Sequence, residues 1–278
     1  MNTKKSILFS KLICFFIFKL VLFYSAATNG QAGARSKALA ESTVADYGFW
    51  AIGGNPAGLS TQNILEAGVA IENRFLIKEL QGTELAVAYG GKLGSIAASL
   101  SRFGFSLYSE NRFGLMYSRK LQEKLSIGIE LHYQTLAIGE AKDKTRSGDF
   151  NLGLIYEISS RVKIGFHAGN PGSFLFSNTT KNHETAFFRL GMGFEASENL
   201  RVLWETNKTI DQKPLWKCGL EIIPCEKFII RTGLSVPPLS ISFGSGFIIH
   251  RLHIDIASSY HYLLGFSPCL SIHYSLSK

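Results

Sequence analysis

Beyond residue 27 the sequence has no apolar run approaching the roughly 20 residues that a membrane-crossing helix requires, which argues against a helical membrane protein. Charge is sparse as well: 18% of residues are charged against 46% hydrophobic, the reverse of a disordered chain. The formal charge is +8, but Lys4, Lys5, Lys11 and Lys19 supply four of those charges. No later basic run with interleaved aromatics forms a phosphate-binding stripe, so no nucleic-acid partner is implied. Of 4 cysteines, Cys14 lies in the leading segment, leaving Cys218, Cys225 and Cys269 at irregular spacing. An odd, irregular set is no disulfide framework, and the absence of a C-x-x-C pair removes the usual zinc signature. Three unpaired small apolar residues are the plain reading. A Cys218 to Cys225 bridge across a hairpin stays open, subject to geometry.

Residues 1–27 pair Lys4 and Lys5 with the apolar runs Leu12 to Phe18 and Leu20 to Tyr24, and close on Ser25-Ala26-Ala27. That is the build of a secretory signal with a small-residue cleavage site, interrupted by Lys19. Cys14 sits inside the apolar region and not at the cleavage point, so it does not read as a lipid anchor.

From Ile64 onward the dominant pattern is period two. Leu65, Ala67, Val69 and Ile71 alternate with Glu66, Gly68, Ala70 and Glu72, placing carbon on one face and carboxylates on the other. Comparable faces recur to Leu270, Ile272, Tyr274 and Leu276, giving about 14 strands. An even count suits a closed antiparallel barrel. Connections alternate short and long: Gly91-Lys92, Gln122-Glu123, Ser159-Ser160, Ser197-Glu198, Pro224-Cys225 and Ile249-His250 are tight, whereas Ala137 to Arg146 and Gly169 to Glu184 are long and polar. Membrane barrels have this asymmetry. Tyr89, Tyr117, Tyr133, Tyr156, Phe194 and Trp204 fall near strand ends, where interfacial girdles belong. The alternative is a soluble sandwich with the apolar face buried. The fold expected is all-β: a 14-stranded antiparallel transmembrane barrel at 63–278 in outer-membrane lipid, preceded by a segment at 28–62.

That segment is the one long stretch after the leader without alternation. Ser36 reads as the N-cap of a short helix through about Ala45, with Ala38, Leu39 and Val44 as an apolar face. Asn55-Pro56-Ala57-Gly58-Leu59 is a rigid turn, since Pro56 fixes its own φ and holds Asn55 extended while Gly58 permits a bend. The block Gly33-Ala34-Arg35-Ser36, Ala38-Leu39, Val44-Ala45-Asp46 and Asn55 to Leu59 resembles the FadL superfamily of outer-membrane proteins, most closely its PorV/PorQ branch. The resemblance implies that the segment is a hatch inside the barrel, its Asn-Pro-Ala turn near the wall. One departure is plain: the family has a glycine pair after the Ala-Leu element, and this chain has Ala40, Glu41 and Ser42.

If the apolar face meets lipid, the opposite parity lines the lumen: Glu66, Glu72, Arg74, Glu84, Glu130, His132, His167, Arg189, Glu195, Arg201, Glu205, Lys217, Glu221, Arg231, His253, Asp255 and His273. Both signs are interspersed, as in a cross-linked polar interior and unlike a porin constriction of one sign. His253, Asp255, Ser259, His261, Ser271 and His273 are the one foothold for a hydrolase or a metal site, but period-two spacing gathers polar residues on any barrel lining. No enzyme, cofactor or metal is expected. The resemblance offers two roles: an accessory of type IX secretion or surface attachment that holds a secretion-channel or surface-protein partner, or a channel for a hydrophobic ligand such as a fatty acid. Short outer connections favour the partner role.

Overall fold

The computed structural model describes residues 33–61, 65–139, 143–171 and 185–276. The expected signal at 1–27 and most of the long connection after Gly169 lie outside the described residues. A helix α1 (Gly33–Ala38) and two 3-10 segments (Phe49–Gly53 and Pro56–Thr61) precede the first strand. The strands are β1 (Leu65–Asn73), β2 (Gln81–Gly91), β3 (Gly94–Gly104), β4 (Tyr108–Gln122), β5 (Leu125–Ile138), β6 (Asp143–Glu157), β7 (Val162–Gly169), β8 (Phe187–Ser197), β9 (Leu200–Thr209), β10 (Leu215–Cys225), β11 (Phe228–Val236), β12 (Ser240–Ile249), β13 (Leu252–His261) and β14 (Gly265–Leu276).

Each strand pairs antiparallel with its sequence neighbours, and β1 returns to β14, with Leu65 opposite Leu276 and Glu72 opposite Cys269. The sheet is a closed barrel of fourteen strands with no free edge. Closure pairs every strand on both sides through the belt, which is why alternation can be sustained without a covering layer. The alternation itself decides what faces where. Leu115, Leu131 and Ile256 remain about half exposed on the outer wall, whereas Glu84, Glu205 and Arg231 are buried inside. Tyr89, Tyr117, Tyr133, Tyr156, Phe194 and Trp204 all point outward. Carbon outside and charge inside is the reverse of a soluble sandwich.

Two local expectations need correction. The helix is not Ser36 to Ala45 but Gly33–Ala38, with Ser36 inside it and buried. It stops because Ala40 and Glu41 take positive φ, 51° and 60°, which no right-handed helix accommodates. The expected polar loop Ala137 to Arg146 is largely strand: Thr135 pairs with Arg146 and Ala137 with Lys144, so β5 and β6 continue as a tall hairpin. Polarity there marks strands with wet faces, not a loop. Cys218 and Cys225 are free and exposed, and Cys269 is free and buried.

Candidate functional site

Residues 33–61 fill the lumen, and the wall is shaped to receive them. An added Cβ at Gly244 would come within 3.0 Å of Ala38, at Gly233 of Ala40, and at Gly219 of Ser42. At Gly191 and Gly165 it would meet Val44, at Gly68 Phe49, and at Gly128 and Gly153 the Asn55 to Ala57 turn. The segment therefore sweeps around the inside from β12 through β11, β10, β8 and β7, touches β1, and turns against β6 and β5. Side chains larger than hydrogen would exclude it. The remaining strands are reached by bonds or packing. Ala34 N–H donates to Ser271 Oγ on β14 at 3.0 Å, Val44 N–H to Glu205 Oε2 on β9 at 3.0 Å, and Ser118 Oγ on β4 to Ala57 O at 3.2 Å. Helix α1 lies against β13, and the turn at Pro56–Thr61 against β2 and β3. The hatch thus touches all fourteen strands.

Asn55 anchors the turn. Its Nδ2 donates to Val44 O at 2.6 Å and toward Leu154 O and Phe166 O, both at 3.2 Å, on β6 and β7. Its Oδ1 accepts Ala57 N–H at 3.1 Å. Pro56, Ala57, Gly58 and Leu59 are all buried.

Two ionic chains weave hatch and wall together. In the first, Lys37 reaches Glu72 at 2.6 Å and Glu41 at 3.6 Å; Glu41 pairs with Lys217 at 3.2 Å, and Lys217 with Glu205 at 3.7 Å. Arg189 grips Glu205 through two nitrogens at 2.7 and 3.0 Å and donates to Glu41 O, while Arg74 caps the other end on Glu72 at 3.3 Å. In the second, Arg35 spans Asp46 at 2.5 Å and Glu221 at 3.1 Å, Arg201 touches Asp46, Glu221 and Glu195, and Arg231 bridges Glu221 at 2.6 Å to Asp255 at 2.5 Å. Burial works against the Lys37 ammonium, yet Glu72 and Glu41 outweigh it and push its pKa up. The Lys217 and Lys37 ammoniums hold the Glu41 carboxyl well below the usual range.

The other lining residues sit apart from these chains. Glu66 accepts Ser275 Oγ at 2.5 Å, Glu130 accepts Asn151 Nδ2 at 2.5 Å and lies 3.9 Å from Arg112, and His132, Glu84 and His167 are buried nearby in the wall. The hydrolase foothold is used otherwise: Asp255 holds Arg231, Ser271 accepts Ala34 N–H, and His253 stacks on His273 with ring centroids 4.3 Å apart. Phe49 also stacks on His273, with ring centroids 5.2 Å apart. Ser259 and His261 are near the far end of β13, opposite Ser267 and Gly265. Among the described residues no group of three His, Cys, Asp or Glu could hold a metal.

A cavity of about 270 Å³ opens beside the hatch at the barrel end with the short turns. Tyr47, Phe49, Trp50 and the His253–His273 pair give it one aromatic side, and the second ionic chain, from Arg35 and Asp46 to Glu221, Arg231 and Asp255, lines the other.

Sequence reasoning missed the receiving glycines. Their signal was present: Gly128, Gly153, Gly165 and Gly219 each sit between two apolar outward residues, on the parity that carries the charges.

No protein-family model matches this sequence, and no curated protein matches it. Solved structures do. The Pseudomonas putida toluene transporter TodX is similar with a TM-score of 0.63 at 13% identity, over 90% of this chain and 97% of that one. A Pseudomonas aeruginosa FadL homologue is similar with a TM-score of 0.61 at 11% identity, over 88% and 98%. The Acinetobacter baumannii outer membrane protein Omp33 is similar with a TM-score of 0.54 at 6% identity, over 78% and 100%. At these identities the likeness is one of fold.

Proposed function

We propose that this chain is a FadL-type barrel of the bacterial outer membrane that passes small hydrophobic compounds. A carbon-faced wall around a charged interior is stable in a bilayer and not in water, because the outer side chains would otherwise stay wetted. The fold shared with a toluene transporter supports the same reading.

The observation that carries the proposal is the hatch itself. A segment that touches all fourteen strands occupies the axial path at its level, so a solute has to pass beside it. Beside it remains a cavity of about 270 Å³ with one aromatic side and one side of paired charges. An apolar cavity of about 150 Å³ already takes up benzene, so the volume beside the aromatic side suffices for a single-ring compound. The charges on the other side are paired with one another, so they demand no charge from such a molecule.

Trp50 lines the cavity, and Trp204 and Trp216 lie on the outer wall, so a Trp204→Phe/Trp216→Phe background leaves Trp50 as the fluorescent reporter. Titrating toluene into the detergent-solubilised protein is expected to give a saturable change in Trp50 emission, absent with glucose. A non-saturable response identical for both would overturn the proposal.

A second reading keeps the partner role of a PorV/PorQ-type accessory, supported by connections as brief as that between Val236 and Ser240. Its signature would be stoichiometric co-purification with a larger secretion channel and no saturable toluene response.

A further inference from the structure

The outward face of β3 to β6 changes character along one hydrogen-bonded row. Leu100, Phe113, Tyr133 and Gly148 are paired across these four strands and are the last of the apolar belt. The next outward row pairs Arg102 with Asn111, Asn111 with Thr135, and Thr135 with Arg146. One step further, Lys144 faces outward opposite Ala137. Arg102, Asn111, Lys144 and Arg146 are all exposed, and the outward positions of these strands carry no carboxylate. None of the three cations has an ion-pair partner among the described residues. Elsewhere on the outward wall a cation this far from the short turns is rare; Lys208 on β9 is one, and it donates to Gln212 O.

Height places the row. Thr135 is ten residues beyond Leu125, where β5 leaves its short turn. At about 3.3 Å per residue and a tilt of about 40° that is a climb of about 25 Å, the height of a membrane barrel's apolar band. A cation on the lipid face at that level sits at the outer headgroups, where it is stable only beside an anion or water.

We propose that this row binds the headgroup of a phosphorylated glycolipid in the outer leaflet. The order across the strands is cation, amide, hydroxyl, cation. With strands about 4.8 Å apart, Arg102 and Arg146 stand about 14 Å from each other along the sheet. The flanking cations suit two phosphates, and Asn111 and Thr135 between them suit the hydroxyls of the sugars that join them. A simple phospholipid offers one phosphate and no saccharide. The proposal rests on the outer-membrane reading above.

The test uses the full chain in detergent micelles, titrated with purified lipopolysaccharide, the same glycolipid after enzymatic dephosphorylation, and phosphatidylglycerol, with bound lipid read by native mass spectrometry. Lipopolysaccharide is expected to bind at least tenfold tighter than the other two. Arg102→Ser/Lys144→Ser/Arg146→Ser is expected to weaken it about a hundredfold, since each basic residue at an anionic lipid surface contributes about one kcal/mol, and Lys208→Ser to leave it unchanged. Equal binding by the triple variant, or phosphatidylglycerol binding as tightly as lipopolysaccharide, overturns the headgroup site while leaving the barrel reading intact. Loss of the heat-modifiable folded band from the unaltered chain in bilayers overturns the membrane reading and the site with it.

Discussion

Replacing Gly153 by Ala tests whether the hatch is seated as tightly as the wall implies. On β6 the new methyl would come within 3.0 Å of Asn55 Oδ1, Ala57 N and Pro56 Cδ, all part of a buried turn held by Asn55 at both amide ends. Neither side yields easily: the strand is bonded to β5 and β7, and the turn is proline-stiffened. Overpacking of this kind costs about 1–3 kcal/mol. Gly148 on the same strand is the control. There an added methyl points outward with His132 O at 3.6 Å, an ordinary contact, and Ala in a strand interior is neutral to mildly favourable over Gly. Urea unfolding followed by the heat-modifiable mobility shift is expected to show Gly153→Ala destabilised by about 1–3 kcal/mol and Gly148→Ala unchanged or slightly more stable. Repeating Gly153→Ala in a chain lacking residues 33–61 isolates the cause, because the cost should vanish with the turn. Equal stability of the two variants, or a cost that persists without the hatch, would refute the reasoning.

Ala40→Gly is expected to raise stability by about 0.5–1 kcal/mol in the same assay, since Ala40 holds a φ of 51° that favours glycine. Arg189→Met should cost about 3–5 kcal/mol by leaving fully buried Glu205 with Lys217 at 3.7 Å as its remaining cation beside the Val44 N–H, and adding Glu205→Met should recover part of it. Hatch anchoring should also depend on pH at both extremes. Glu41 has a depressed pKa, so its contribution is full above its ordinary value of 4.5 and is lost as pH falls through the lower folded value. Lys37 has a raised pKa, so its contribution is full below 10.5 and is lost as pH rises through the higher folded value. Protease protection of the hatch in micelles should therefore be flat between pH 5 and pH 10 and fall outside that range; a midpoint near pH 7 would contradict both assignments.

Strands were legible because a barrel wall is a periodic object: Leu125, Ile127, Ile129, Leu131 and Tyr133 declare their face without reference to anything else in the chain. The same locality explains the failures. Whether Ala137 to Arg146 is loop or strand depends on what wets β5 and β6 above the belt, and composition cannot separate a polar turn from a tall hairpin with two wet faces. The helix end at Ala38 is set by positive φ at Ala40 and Glu41, which neither residue type signals. Glu41 accepts that conformation because its carboxylate lies between Lys37 and Lys217 and its carbonyl receives Arg189. Glycine there would relieve the backbone and lose the ion pairs. Ala40 and Glu41 in a backbone that favours glycine are thus a trade between local strain and lumenal charge, visible only once the wall is in place.

The charge pairing also orders assembly. Remove the hatch and Glu72 keeps Arg74, Glu205 keeps Arg189 and Lys217, and Glu221 keeps Arg201 and Arg231. Each of these wall carboxylates has a cation supplied outside the hatch. The converse fails. Lys37 and Glu41 would face only each other at 3.6 Å, and Arg35 only Asp46, while Asn55 would lose the carbonyls of Leu154 and Phe166. A wall whose hatch-facing carboxylates keep cations of their own can close alone; a hatch whose ions and turn need the wall cannot fold first. Barrel closure therefore precedes seating, which is why a chain lacking residues 33–61 should still give the heat-modifiable band while an isolated hatch peptide should show no helix in solution, its 6-residue helix being far shorter than the ~12–15 helical residues that are marginal even in favourable sequences. A hatchless chain that stays unfolded in lipid would place the seating step before closure and reverse this order.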